Sequence, residues 1–157
     1  MPIPQAHLVL KGLVLFQRRF LYGLDQTPDE RLNWSPGEAE KTPLQVAGSL
    51  ARFLIFIAYT LAHRELPREG DYPPPPGTRD AAKAAIDSGC AALRRAVEGL
   101  EPADLTAKPP APWGEDTLEE ILWLINGTIL YHQGQVNYIQ LCYGDKDPHI
   151  PPDWREA

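Results

Sequence analysis

Cysteine is nearly absent from this chain, and an excess of basic charge, long apolar runs and strand-like alternation are missing too. Cys90 and Cys142 are the two cysteines among 157 residues. They are too few and too far apart for a disulfide framework or a cysteine-based zinc site, and they fit a reducing cytoplasm. Lys and Arg number 15 against 21 Asp and Glu, a net charge of -6. That balance excludes the basic surface on which nucleic-acid binding depends, and the pairs Arg18-Arg19 and Arg94-Arg95 are too sparse to supply one. The longest apolar stretch, residues 53–62, is about half of the roughly 20 residues a membrane span needs. Met1 to Leu10 lacks the pattern of a signal peptide, so neither a membrane nor export is expected. No period-two run persists, and the single Asn126-Gly127 falls inside a helical pattern, which argues against hairpins. With 43% apolar and 23% charged residues, the chain reads as one domain, 1–157, with an ordinary core.

Proline is what the chain has in plenty, 17 residues, and its placement divides the sequence. Every proline lies at the start, in 28–43, in 67–76, in 102–112 or in the tail from Pro148, leaving proline-free windows 5–27, 44–66, 77–101 and 113–147. Proline lacks an N–H and clashes with the preceding helical turn, so such windows predict helices. Thr42-Pro43-Leu44-Gln45 joins a capping hydroxyl, a first-position proline and a capping-box glutamine, and Thr117 with Glu120 repeats the box. Thr27-Pro28-Asp29-Glu30 starts a helix that has room for one short turn. The expectation is an all-α four-helix bundle, with helices near 4–24, 43–65, 78–99 and 117–143, long Pro-rich connections, a short extra helical turn and an extended C-terminal tail. Gly23-Leu24 to Thr42 is echoed by Gly99-Leu100 to Thr117, suggesting two similar helix–joint–helix units. Pro73 to Pro76 reads first as a stiff link between the second and third helices, with an SH3-type ligand as the alternative.

The last helix carries the chemistry. Positions alternately three and four apart give Leu118, Ile121, Ile125, Thr128, His132, Gln135, Ile139 and Cys142 as its inward seam. Three of these are polar, and burying each unpaired costs on the order of 1–3 kcal/mol. Either they line a site, or Thr128 bonds the carbonyl one turn back while His132 and Gln135 satisfy each other or a water. Cys142 is expected in the core. His63 reads as a cationic cap at the end of the second helix, and His7 and His149 as surface residues. Ser49 or Thr128 with His132 as base lacks an orienting acid, and no Gly-x-Ser-x-Gly motif is present. Asn126-Gly127-Thr128 matches a glycosylation acceptor but lies on a helix, and is discounted.

Tyr131-His132-Gln133-Gly134-Gln135, running on to Tyr143-Gly144-Asp145, resembles the end of the last core helix in the DinB-like (YfiT-like) four-helix-bundle proteins, whose signature reads His-x3-His-x-Gly-Gln. The joint Leu32 to Pro36, the Thr42-Pro43 start and the Leu100 to Trp113 joint resemble the same layout. The resemblance implies a divalent metal held by three histidines, one on the second helix and two on the last, in thiol transferases, isomerases or uncharacterised hydrolases. His132 matches the last of these histidines, Thr128 stands where the earlier one belongs, and Ser49, give or take one position, stands for the second-helix ligand. One imidazole and two hydroxyls make a poor site for Zn or Ni, so no metal is expected, and His132 is the residue that would hold one. The reading is a family member that has lost its metal site and keeps a polar pocket of Ser49, Thr128, His132 and Gln135, acting as a small-molecule-binding or dimerisation module. The alternative is a metal-dependent thiol (small-molecule) transferase or hydrolase in which His132 is the candidate catalytic residue and Gln135 orients it or the substrate. Residues 53–59 are apolar all round, so a homodimer is expected to cover them, as the resemblance also implies, unless the tail with Ile150 and Trp154 does so.

Overall fold

The computed structural model describes residues 3–111 and 114–153. Trp113 and Trp154 lie outside the described residues, so the expectations that involve them are not taken further. Four helices form, α1 (Pro4–Asp25), α2 (Pro43–His63), α3 (Arg79–Glu98) and α4 (Leu118–Cys142), and no strand occurs among the described residues. The helix starts are those the capping chemistry marks. The Gln45 N–H donates to Thr42 Oγ1 at 3.2 Å while the Thr42 N–H donates to Gln45 Oε1 at 2.9 Å, and Thr117 with Glu120 closes the same box. α2 ends two residues before the expected boundary, where Arg64 takes a left-handed φ of 58°. The expected short turn is a 3₁₀ turn, Asp29–Arg31.

The order of contacts fixes the topology. Gln5 meets Glu119 near the starts of α1 and α4, and Gly23 meets Gln140 near their ends, so these two helices run parallel. Gln17 pairs with Asp87 and Asp25 with Lys83, so α3 runs against α1. Leu54 faces Gly89, and Ala58 and Ala62 lie beside Ala92 and Ala96, so α2 and α3 are parallel. α2 packs chiefly on α3 and α4, and α1 on α4 and α3, which leaves α1 and α2 on one diagonal of the bundle. The long joints are needed to cross it. Both diagonal joints are built alike: the Leu44 N–H donates to the Leu32 carbonyl at 3.2 Å, and the Leu118 N–H to the Ala107 carbonyl at 2.9 Å. Trp34 packs edge-on against Tyr143 with ring centroids 5.8 Å apart, docking the first joint on the end of α4.

Because α2 and α3 are parallel neighbours, the chain from 64 to 78 must return along the bundle, about 30 Å for a helix of this length. Polyproline backbone, at about 3.1 Å per residue, covers that distance economically. The return strap is pinned to α2. Arg52 makes a two-pronged ion pair with Glu69 at 2.9 and 3.0 Å, its guanidinium stacks 3.9 Å from the Tyr72 ring, and Pro76 abuts Gly48. α2 is long and apolar enough to cross a membrane by composition, and 56% of its most apolar window is buried in the bundle. Phe53, Ile55, Phe56 and Tyr59 are half-buried. The described part of the tail, up to residue 153, pairs Asp153 with Arg18 on α1 and leaves Ile150 exposed.

Several seam expectations are corrected. The inward residues in the second half of α4 are Ile129, His132, Gln133, Val136, Ile139 and Gln140; Thr128 and Gln135 are only half-buried, and Cys142 is exposed. A straight helix drifts about 20° per heptad from a 3.5-residue seam, so over three heptads the drawn seam turns roughly 60° away from the core. Cys90 is the buried thiol, pushed up to about 12 by burial. On the α1 side, Asn126 and Gln133 fill the space left by Gly12 and Gly23, where a Cβ would stand 2.1 Å from Asn126 and 2.9 Å from Gln133. One heptad further, Gln140 Nε2 donates to the Gly23 carbonyl at 3.0 Å and to Thr27 Oγ1 at 3.2 Å, capping the end of α1 from outside. His149 is also corrected: it is buried, with its Nε2 2.8 Å from Asp145 Oδ2. Burial pulls Asp145 upward, but the Asp147 N–H and the His149 ring outweigh it and hold the carboxyl below its usual range.

Candidate functional site

Thr128 and His132 stand near the middle of α4, and Ser49 and Gln135 lie towards the end of the bundle where α2 begins and α4 finishes. Two cavities open there. One, about 570 Å³, is lined by Lys41, Val46, Tyr131, Gly134, Gln135 and Tyr138. The other, about 580 Å³, is lined by Lys41, Gly48, Ser49, Arg52 and the proline run of the strap. Ser49 therefore faces the strap cavity and Gln135 the α4 cavity, while Thr128 and His132 line neither. Neither cavity holds more than one of the four expected residues.

Lys41 is a residue both cavities share, and sequence reasoning missed it. It directly precedes the capping residue Thr42, so its side chain passes back over the first turns of α2, and Nζ donates to Ser49 Oγ at 2.8 Å. Glu38 and Glu40, from the same joint, also line the strap cavity. The signal available in the sequence was a lone lysine between an acid-rich joint and a helix N-cap, which names no site by itself.

His132 is held by its own helix. Nδ1 lies 2.9 Å from the Thr128 carbonyl, which can only accept, so Nδ1 carries the hydrogen and Nε2 the lone pair. The Thr128 hydroxyl donates to the Leu124 carbonyl at 2.9 Å, one turn back as expected. Gln135 does not orient His132. Its Nε2 donates to the Tyr131 hydroxyl at 3.2 Å, and the Tyr131 ring stands edge-on to the imidazole, centroids 5.4 Å apart. Burial pushes the His132 imidazole below the usual histidine range; the Thr128 carbonyl works against that shift and the Lys41 charge adds to it. Unfolded, the same histidine takes up a proton near pH ~6.5. Stability from this residue is thus complete above that pH and falls as pH drops through it towards the native value. Urea unfolding between about pH 7.5 and 5.5 is expected to show this loss, and His132→Gln to flatten it; an unchanged slope in the variant would assign the loss to other groups.

The donor set does not fit a divalent ion. Among the described residues no three His, Cys, Asp or Glu side chains come together. Of the three matching positions, Thr128 has its hydroxyl proton on a backbone carbonyl, and Ser49 accepts from an ammonium group that would repel a cation. The model of the DinB superfamily matches residues 13–136. No curated protein and no solved structure matches the chain.

Proposed function

This chain belongs to the DinB superfamily, and we propose that it is a metal-independent member that binds a small molecule through a carboxylate held by Lys41. The observation that carries this reading is the Lys41 ammonium, fixed by Ser49 at 2.8 Å on the border of both cavities. An ammonium has three donors, and one hydrogen bond to Ser49 leaves two for a ligand. Glu40 lines both cavities beside it, so a zwitterion with an amine near its carboxylate matches the rim better than a dianion does. Tyr131, Tyr138 and Val46 supply apolar wall for the rest of the molecule.

A panel of small zwitterions, monocarboxylates, dicarboxylates and matched amides tests this by thermal shift and calorimetry. Zwitterions and monocarboxylates are expected to stabilise the protein and the amides not. Lys41→Met should weaken binding tenfold or more, and Lys41→Arg only partly. Stabilisation that persists in Lys41→Met, or none from any carboxylate, would contradict the reading. A second reading, a metal-dependent thiol transferase or hydrolase using His132, is favoured by one observation. An Nδ1–H on a backbone carbonyl is how metal-ligating histidines are commonly oriented.

A further inference from the structure

α1 and α4 run side by side in the same direction, and near their starts they enclose a cavity that the site described above does not use. Two bridges between the helices bound it. At one end Gln5 Nε2 donates to Glu119 Oε1 at 2.7 Å. About two helical turns further on, Asn126 Nδ2 reaches the Leu8 carbonyl at 3.4 Å, where Gly12 leaves room for the carboxamide. Between the bridges the walls are apolar. Val9 and Leu122 are buried beneath the cavity, and Leu8 and Trp123 stand out at its sides, 66% and 81% exposed. The space is about 360 Å³, at the small end of the range for ligand sites. Trp123 is the most exposed large apolar side chain among the described residues. A polar residue would serve a solvent-facing helix position as well, whereas an indole gains contact from whatever fills the cavity beside it.

We propose that this cavity binds a small organic ammonium monocation, with its apolar body against Val9, Leu122 and Trp123 and its charge at Glu119. The charges around the opening select that class. Among the described residues that line the cavity, Glu119 is the ionised one, and no Lys, Arg or His lines it. Gln5 takes Glu119 Oε1, which leaves Oε2 to a ligand. Glu115, Asp116 and Glu120 stand within four residues of Glu119, and the Lys108 ammonium, 3.5 Å from Glu115, offsets one of them. The positive end of the α4 dipole offsets only a further part. The opening therefore lies in a negative field that draws cations and repels anions. Glu119 and Trp123 are one turn apart on α4, so the carboxylate and the indole serve the same end of the ligand, and the ring adds cation–π attraction. A neutral apolar molecule would leave the carboxylate unused. Lys41 lines the other two cavities and not this one, so this site is separate from the carboxylate site and takes the opposite charge.

Titration of the full chain with 2-phenylethylammonium and hexylammonium, followed through the indole N–H signals in proton–nitrogen NMR, tests this. The neutral matches are 2-phenylethanol and 1-hexanol, and 3-phenylpropionate is the anion. The Trp123 signal, assigned by its loss in Trp123→Phe, is expected to move with the ammonium ions, to need about five- to tenfold more of the alcohols, and to stay in place with the anion. Glu119→Gln keeps an acceptor for Gln5 and removes only the charge, so it should weaken ammonium binding about threefold. Trp123→Ala should weaken it about tenfold without lowering thermal stability, because the ring is exposed. Lys41→Met should leave it unchanged, which separates this site from the carboxylate reading. Alcohols that bind as well as the ammonium ions, binding indifferent to Glu119→Gln, binding lost in Lys41→Met, or a Trp123 signal that does not move at millimolar amine would each overturn the proposal.

Discussion

Truncating Leu54 to alanine is expected to lower the free energy of unfolding by about 2–5 kcal/mol, because Leu54 is fully buried at a close contact between α2 and α3. The two helices approach so closely there that a Cβ on Gly89 would stand 2.9 Å from Leu54 Cβ and 3.6 Å from the Ala51 carbonyl. Neither atom is the loose end of a side chain, so the neighbours cannot step aside without moving a helix. Gly89→Ala is therefore expected to destabilise by about 1–3 kcal/mol through overpacking, against the gain of up to about 1 kcal/mol that the same change brings on an exposed helix. Gly127, where a Cβ meets nothing within 4 Å, supplies that control in the monomer. Urea unfolding reads all three variants as midpoint shifts at constant slope. A neutral or stabilising Gly89→Ala would mean that α2 and α3 do not approach as described.

The second large effect is a gain. Combining Ser49→His and Thr128→His with Lys41→Ala is expected to create a divalent metal site with His132. The imidazole introduced at position 128 would then stand one turn from that of His132 on one face of α4, a spacing that zinc sites use. Removing Lys41 takes away the cation that now rests on Ser49. Metal that binds the native state alone raises its stability by about 2.7 kcal/mol at a hundredfold excess over the dissociation constant. Thermal unfolding with and without Zn measures it. A triple variant that takes up no Zn and shows no shift would mean that positions 49, 128 and 132 do not face one centre.

The helices were legible because the signals that bound them are local. Proline exclusion acts within one turn, and a capping hydroxyl or glutamine acts within three residues, so all four helices start and stop within two residues of the expected positions. The inward face of α4 was less legible, since a seam drawn at 3.5 residues per turn goes astray over 25 residues of straight helix. That drift put Cys142 inside and missed Gln133 and Gln140, whose burial depends on glycines far away on α1. His149 looked like a surface residue because its partner, Asp145, is set by the fold of the tail. Threonine at 128 and serine at 49, where the resemblance calls for histidine, could be read from the sequence directly. The role of Lys41 could not, because its reach to Ser49 depends on the path of the first joint. Most inner positions of the apolar stretch of α2 are used by α3 and α4, and the strap crosses part of its outer side.

The proposal that this bundle keeps the family's fold and works without a metal is tested most directly by elemental analysis of the purified protein, with calorimetric titration of Zn, Ni and Mn on the wild type and on His132→Ala. No stoichiometric metal is expected in either protein, and the same thermal stability with and without chelator. Stoichiometric binding that disappears in His132→Ala would contradict the proposal, and would make His132 a ligand in a centre completed by residues other than Ser49 and Thr128.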